Sequence, residues 1–257
     1  MTRIVFALLA VAVPAGLFAA DDLGSVPEQW NPMAATVRIR ITESDRTQVG
    51  SGTIIQSSPG YALVLTCAHI MDRAGDDALV EVDVFGEDES RIYLGEIVGH
   101  HIDSDVGLIT IRPMKVLPFA QVDLSSDEIA KGDPVMSIGC NNGARPTSQQ
   151  ISVRDVNLYL GADHLICAIA PIHGRSGGGL FDSAGRLIGV CSAANRKLDH
   201  GLYAGRGAIY EMLQRHDLVK LVQADQTISG VRTASQTSSE APVRTAAGSK
   251  PSDIEVE

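Results

Sequence analysis

The sequence is short of aromatic side chains and of positive charge. Phe, Trp and Tyr make up 4% of its 257 residues, too few for rows of base-stacking platforms. Lys plus Arg number 21 against 31 Asp plus Glu, a formal net charge of −10, which suits a phosphate backbone poorly. No nucleic-acid partner is therefore expected. Cysteine is sparse: Cys67, Cys140, Cys167 and Cys191, with no C-x-x-C pair, which argues against a zinc site. Neither a metal nor a cofactor is expected. After residue 20 no apolar run is long enough to cross a bilayer. What remains is ordinary globular composition, 44% apolar and 20% charged, which excludes wholesale disorder, collagen and coiled coil. The length allows one large domain or two modest ones.

The N-terminus reads as an export signal. Arg3 precedes an apolar run from Ile4 to Ala20, broken by Pro14, with cleavage expected near Ala19 or Ala20 and Asp21-Asp22 opening the polar chain. An uncleaved anchor is the alternative. Removal of residues 1–20 leaves 20 basic and 31 acidic side chains, or −11. Export to the periplasm or the extracellular space permits disulfides, yet each cysteine lies in an apolar stretch that would equally suit a buried thiol. The pairing stays open, as does oligomerisation, and no stable membrane span is expected once the signal is removed.

Residues 21–34 read as a loop, with Pro27 and Pro32 as breakers. Val37, Ile39 and Ile41 then alternate with Arg38, Arg40 and Thr42, the pattern of a half-buried strand. Strand-like runs follow at 51–56, 61–66, 79–85, 92–98 and 106–111, and a second set at 134–138, 150–160, 165–169, 179–181 and 186–192. Asp182-Ser183-Ala184-Gly185 suits a hairpin turn. Two groups of about six short strands, joined near 112–118, predict an all-β chain of two antiparallel barrels, about 35–112 and 118–207. Ile209, Met212, Leu213, Leu218, Leu221 and Val222 predict a closing helix over 208–223. The Ser-, Thr- and Ala-rich stretch 226–257 predicts a disordered tail.

The chemistry gathers at three places. Leu65-Thr66-Cys67-Ala68-His69 puts an imidazole just past a strand end. His100-His101-Ile102-Asp103-Ser104-Asp105 puts carboxylates just before another strand. Gly174-Arg175-Ser176-Gly177-Gly178-Gly179 puts a serine in a glycine-rich turn whose N–H groups can converge on a developing oxyanion. A serine hydroxyl needs a base, and the base an orienting group. His69, Asp105 and Ser176 meet both needs. Each alone is commonplace; the three together, at strand ends of a double barrel, are specific. Asp103 competes with Asp105, which is favoured because it directly precedes the apolar strand. His100, His101 and Asp103 are better read as a solvated loop than as metal ligands, and Glu87-Asp88-Glu89 as a charged hairpin tip rather than a calcium loop.

Gly50-Ser51-Gly52-Thr53, Leu65-Thr66-Cys67-Ala68-His69, Ser104-Asp105-Val106-Gly107-Leu108 and Gly174-Arg175-Ser176-Gly177-Gly178 resemble the trypsin-like serine proteases. The spacings of 36 and 71 residues between His69, Asp105 and Ser176 resemble the compact bacterial HtrA/Deg branch, over roughly residues 35–225. The resemblance implies a serine endopeptidase of the double-barrel fold acting on polypeptides through an acyl-enzyme. It assigns His69 as general base, Asp105 as its orienting group, Ser176 as nucleophile, and the Gly174 and Ser176 N–H groups as the oxyanion hole. It places Ser192 beside the triad carboxylate and makes Ser192-Ala193-Ala194 the edge that pairs with substrate. Ala170, Pro171, Ile172 and Cys191 would line the first subsite; none is charged, so a small or medium apolar side chain is expected there rather than Lys or Arg.

Three departures from the family pattern stand out. Arg175 occupies a position where Asn or Asp is usual, which puts a cation able to reorganise the oxyanion turn there and makes the ion pair that activates digestive zymogens unavailable. Gly179 adds a third glycine, expected to loosen the turn. Only about 30 residues follow the predicted helix, so regulation by a PDZ domain in cis is not expected. Two competing readings remain: an inactive pseudoprotease that binds peptides, and an esterase, the latter disfavoured because the α/β-hydrolase order of motifs is missing.

Overall fold

A computed structural model describes residues 31–223, apart from 73, 76, 87 and 88. The expected signal segment and C-terminal tail lie outside the described residues, as do Glu87 and Asp88 of the acidic turn. The first strands are β1 (Thr36–Glu43), β2 (Arg46–Ser58), β3 (Tyr61–Thr66), β4 (Leu79–Phe85), β5 (Ser90–His101) and β6 (Val106–Ile111). They close into an antiparallel barrel in the order β1-β2-β3-β6-β5-β4. The second set is β7 (Pro134–Gly139), β8 (Thr147–Val156), β9 (His164–Ala168), β10 (Gly179–Phe181), β11 (Leu187–Asn195) and β12 (His200–Ala204). It closes with the same connectivity, β7-β8-β9-β12-β11-β10. Closure pairs strand edges that would otherwise be open to aggregation.

The alternation of β1 buries Val37, Ile39 and Ile41 and leaves Arg38 and Arg40 partly exposed. β3 pairs with β2 and β6 and is apolar almost throughout, with every residue after Tyr61 buried. Bulges between Ile54 and Gln56, Ile97 and Gly99, and Cys191 and Ala193 supply the bends that closing a small barrel requires. The core of the first barrel runs on through Ile138, Phe181, Leu187 and Val190 of the second. A separate cluster of Val135, Ile151, Val153, Leu165, Cys167, Leu180, Ile188, Cys191 and Tyr203 fills the second barrel.

The strand expectations hold, with shifted ends and one omission. β12 has no counterpart among the predicted runs, because five residues, with a glycine second, carry little alternation. Pro32, expected as a loop breaker, instead opens a one-turn helix α1 (Pro32–Ala35), whose N-cap Asn31 accepts from the Met33 N–H. The closing helix α2 (Arg206–Arg215) stops earlier than the periodicity suggests, because Asp217 takes a left-handed φ of 57°. Its apolar face, Ala208, Ile209, Met212 and Leu213, seals the joined core.

All four cysteines are free, buried thiols. Burial pushes Cys140 up to about 11 and Cys167 and Cys191 up to about 12. Iodoacetamide at pH ~8.5, where an exposed thiol is half ionised, is therefore expected to leave all four unmodified in the folded chain and to modify all four after denaturation. Intact-mass spectrometry reads both states.

The segment between barrels is held at Asp123. Its N–H donates to Leu187 O, and its carboxylate accepts from the Ser125 N–H at 3.0 Å and from Arg206 Nη1 at 2.8 Å, with Arg186 Nη1 at 3.5 Å. Burial pushes this carboxyl up, but the Ser125 bonds and the two guanidinium groups outweigh it and hold it below its ordinary value. The stabilisation is thus complete above the unfolded carboxyl value and is lost as pH falls through the folded one. Asp123→Asn is expected to cost about 2 kcal/mol at neutral pH. In thermal unfolding the deficit should shrink as pH drops below ~4.

Candidate active site

His69 stands just past the end of β3, where the chain leaves the barrel wall in a turn closed by the Met71 N–H on Ala68 O. Cys67 and Ala68 stay buried, while the imidazole is 43% exposed. Asp105 ends the turn before β6, with its N–H on Ile102 O and a φ of 51°, a left-handed conformation that Asp tolerates better than most residues. Its Oδ1 accepts from the His69 N–H at 2.9 Å, and Oδ2 lies 2.8 Å from His69 Nδ1. Ser192 Oγ, from β11 of the second barrel, donates to the same Oδ2 at 2.5 Å. A carboxylate only accepts, so Nδ1 carries a proton, and in the neutral ring Nε2 carries a lone pair.

Asp103 does not share this role: its side chain is 92% exposed and lies 4.0 Å from His101. Cys67 Sγ lies 3.6 Å from His69 Nε2. Cys67, His69 and Asp105 bring potential ligand atoms within 4.8 Å of one another, the one such group of three among the described residues. Both Asp105 oxygens there are already engaged by His69 and Ser192.

The serine turn is packed tightly against both barrels. Ser51 of β2 is its main partner: the Ser51 N–H donates to Ser176 O at 2.7 Å, and Ser51 Oγ donates to Gly174 O at 2.7 Å while accepting from the Cys140 N–H at 2.8 Å. Thr66 Oγ1 in turn donates to Ser51 O. The Asn142 N–H holds His173 O from the other side. Gly174 and Gly177 have φ of 86° and 83°. A Cβ on Gly174 would come within 2.6 Å of Cys140 O, and one on Gly177 would strike Ser51 O and Thr66 Oγ1. Here glycine serves close approach.

Gly179 contradicts the expectation that a third glycine loosens the turn. It is the first residue of β10, where an added Cβ would lie 2.5 Å from the Phe181 ring. The Arg175 side chain is buried and hydrogen-bonded beneath the turn. Among the described residues no hydrogen-bond acceptor meets the Gly174 N–H or the Ser176 N–H, and Ser176 Oγ makes no hydrogen bond.

The remaining predicted residues are distributed unevenly. Ala193 and Ala194 are exposed on β11. β12 pairs with one side of this stretch, while β10 pairs with β11 only as far as Val190 and the Gly177-Gly178 backbone only at Cys191. Ile172 is exposed, Ala170 partly so, and Pro171 and Cys191 are buried. The Ala170 N–H donates to Asp199 Oδ1 at 2.9 Å, and Ile169 beside it has a φ of 66°, strained for a β-branched residue. Sequence reasoning assigned no role to Ser51 or Asp199. Ser51 lies in the quoted Gly50-Ser51-Gly52-Thr53 motif, whereas Asp199 carries no local signal.

The model of the trypsin-like peptidase domain matches residues 50–190, and the chain belongs to that family. It is homologous to the HtrA, DegS and Do-like proteases. A protease designated Do-like 14 from Arabidopsis thaliana is 32% identical over 160 residues, 55% of this chain and 34% of that protein. The serine endoprotease DegS of Haemophilus influenzae is 27% identical over 194 residues, 72% of this chain and 54% of that protein. The chain thus spans about a third and about half of these relatives. Among solved structures, the serine endoprotease of Yersinia pestis superposes with a TM-score of 0.60 at 21% identity, covering 74% of this chain and 67% of that one. The active form of the Rv3671c protease of M. tuberculosis superposes with 0.58 at 19% identity, covering 71% and 81%. Both share the fold.

Gly177→Ala combines a left-handed backbone with a steric clash against two barrel-one atoms. It is expected to cost roughly 3 kcal/mol, read as a lowered midpoint in urea unfolding. A wild-type midpoint would contradict the packing described.

Proposed function

We propose that the chain is an exported serine endopeptidase that hydrolyses peptide bonds through His69, Asp105 and Ser176. The observation that carries this reading is the Asp105 carboxylate, bound at once by the His69 N–H, His69 Nδ1 and Ser192 Oγ. Held so, the imidazole offers an unprotonated Nε2. His69 takes the Ser176 proton as the hydroxyl attacks the carbonyl, stabilised meanwhile by Asp105, and then passes it to the leaving amine. The unengaged Gly174 and Ser176 N–H groups receive the oxyanion, and water then releases the acyl group by the reverse sequence. A catalytic hydrogen bond between serine and histidine commonly tightens only with substrate bound. The open side of β11 at Ser192-Ala193-Ala194 receives an extended substrate as an added strand. Ala170, Pro171, Ile172 and Cys191 form an uncharged first subsite, so cleavage follows small or medium apolar residues. The apolar N-terminal run supports export.

A second reading, a peptide-binding module without turnover, is favoured by one observation: Ser176 Oγ makes no bond to His69, whereas Cys67 Sγ lies 3.6 Å from Nε2.

A fluorophosphonate probe separates the two. Labelling should map to Ser176 and vanish in Ser176→Ala. With a peptide substrate, Asp105→Asn is expected to lower kcat by ~10⁴, and Ser192→Ala by about tenfold, the worth of one hydrogen bond. Absence of labelling in a folded wild type would favour the binding module.

A further inference from the structure

Arg175 lies in sequence between the two proposed oxyanion donors, yet its side chain leaves the turn in the opposite direction. It is 2% exposed, the largest of the fully buried side chains described. Each of its three nitrogens is engaged. Nε donates to Asn141 Oδ1 at 2.9 Å. Nη1 donates to Ser137 O at 2.9 Å and to Ser137 Oγ at 3.2 Å. Nη2 donates to Thr147 O at 3.2 Å and to Thr147 Oγ1 at 2.9 Å. These acceptors come from β7, from the 3-10 turn Asn141–Gly143 and from β8. Tyr203 of β12 braces the seat by donating to Ser137 Oγ at 3.0 Å. Gly139 forms its floor, since a Cβ there would lie 2.8 Å from Arg175 Cγ.

Every acceptor is neutral. A buried charge without a counter-ion carries a desolvation penalty of several kcal/mol, so packing alone is a poor reason for this residue. A guanidinium offers five donors in one rigid plane, which no other side chain does. Here that plane ties three segments of the second barrel to the peptide unit that carries the donors. Donors fixed in advance need no reorganisation when negative charge develops on the substrate.

We propose that Arg175 is a positioning residue, whose buried guanidinium holds the 173–177 turn, and with it the Gly174 and Ser176 N–H groups, in the receptive arrangement before substrate arrives. The proposal deepens the proteolytic reading and rests on it. The lock has no titratable half near neutrality, because a guanidinium keeps its proton over the working range of an enzyme. The ionisable groups around the seat are Cys140, Cys191 and Tyr203, with Arg38 and Asp83 acting on Cys140 from the first barrel. Burial pushes Cys140 up to about 11, Cys191 up to about 12 and Tyr203 well above its ordinary value; the Arg175 charge pulls each down by less. The thiols and the phenol therefore stay neutral to about pH 10.

The test compares the full-length wild type with Arg175→Ala and Arg175→Lys, by steady-state kinetics on a fluorogenic peptide and by amide hydrogen exchange. In Arg175→Ala, kcat should fall by ~10² while KM stays within about twofold, the signature of lost oxyanion donors. Exchange should quicken in the peptide covering 173–177 while both barrels keep their protection, and added methylguanidinium should restore part of kcat. In Arg175→Lys, a buried ammonium has its pKa lowered by desolvation, so kcat should gain an alkaline limb below pH ~10 that the wild type lacks. Wild-type kcat in Arg175→Ala, unchanged exchange at 173–177, protection lost equally across both barrels, or superimposable pH profiles for wild type and Arg175→Lys would each overturn the proposal. Should Arg175→Ala not fold, the Arg175→Lys profile and its exchange at 173–177 above and below that limb decide. A folded wild type without turnover would sink the proteolytic reading, and the exchange comparison would still decide the role of Arg175.

Discussion

The carboxylate of Asp105 is the point on which the site depends, because it accepts from both halves of the fold. His69 and Asp105 belong to the first barrel and Ser192 to the second, so one oxygen, Oδ2, registers the two barrels against each other to within a hydrogen bond. A charge-assisted bond of this kind is steeper in distance and angle than apolar contact. The joined core lets the barrels approach; the carboxylate fixes where they stop.

The serine turn obeys the same logic from the other side. Its carbonyls at Gly174 and Ser176 are taken by Ser51 of the first barrel, while the Arg175 side chain is rooted in the second. The Gly174 and Ser176 N–H groups belong to the peptides whose carbonyls, His173 O and Arg175 O, are taken by the Asn142 and Gly178 N–H groups, and among the described residues they meet no acceptor. The polarity of the turn is thus set by what satisfies its acceptors, and the glycines serve it by letting backbone approach the Cys140 and Ser51 carbonyls and the Thr66 hydroxyl.

Much of this was legible in the sequence because barrel strands announce themselves by alternation and turn residues. β3, β4, β6 and β10 fall on the predicted runs, and His69 and Asp105 lie within a hydrogen bond of each other. β12 escaped because five residues, with Gly201 second, are too short to show a pattern. The seat of Arg175 was not legible for a different reason: its acceptors lie 28 to 38 residues away in sequence, where no local pattern reaches. Gly179 shows the same limit: it sits in an apparent glycine run, yet its neighbours Phe181 and Leu187 make it a strand residue.

The shared connectivity of the two barrels has a consequence for biosynthesis. Each closes on its own strands, so the strand pairing of the first draws on nothing made later, although its core is finished only by Ile138, Phe181, Leu187 and Val190 of the second. On the proposed reading His69 nevertheless lacks Ser176 until the chain passes that residue, and the Asp105 carboxylate lacks Ser192 until β11 has formed. If the proposed proteolytic reading holds, a chain emerging from the ribosome would thus carry half a reaction centre for most of its passage. Its neighbours would be spared until the last strands click home.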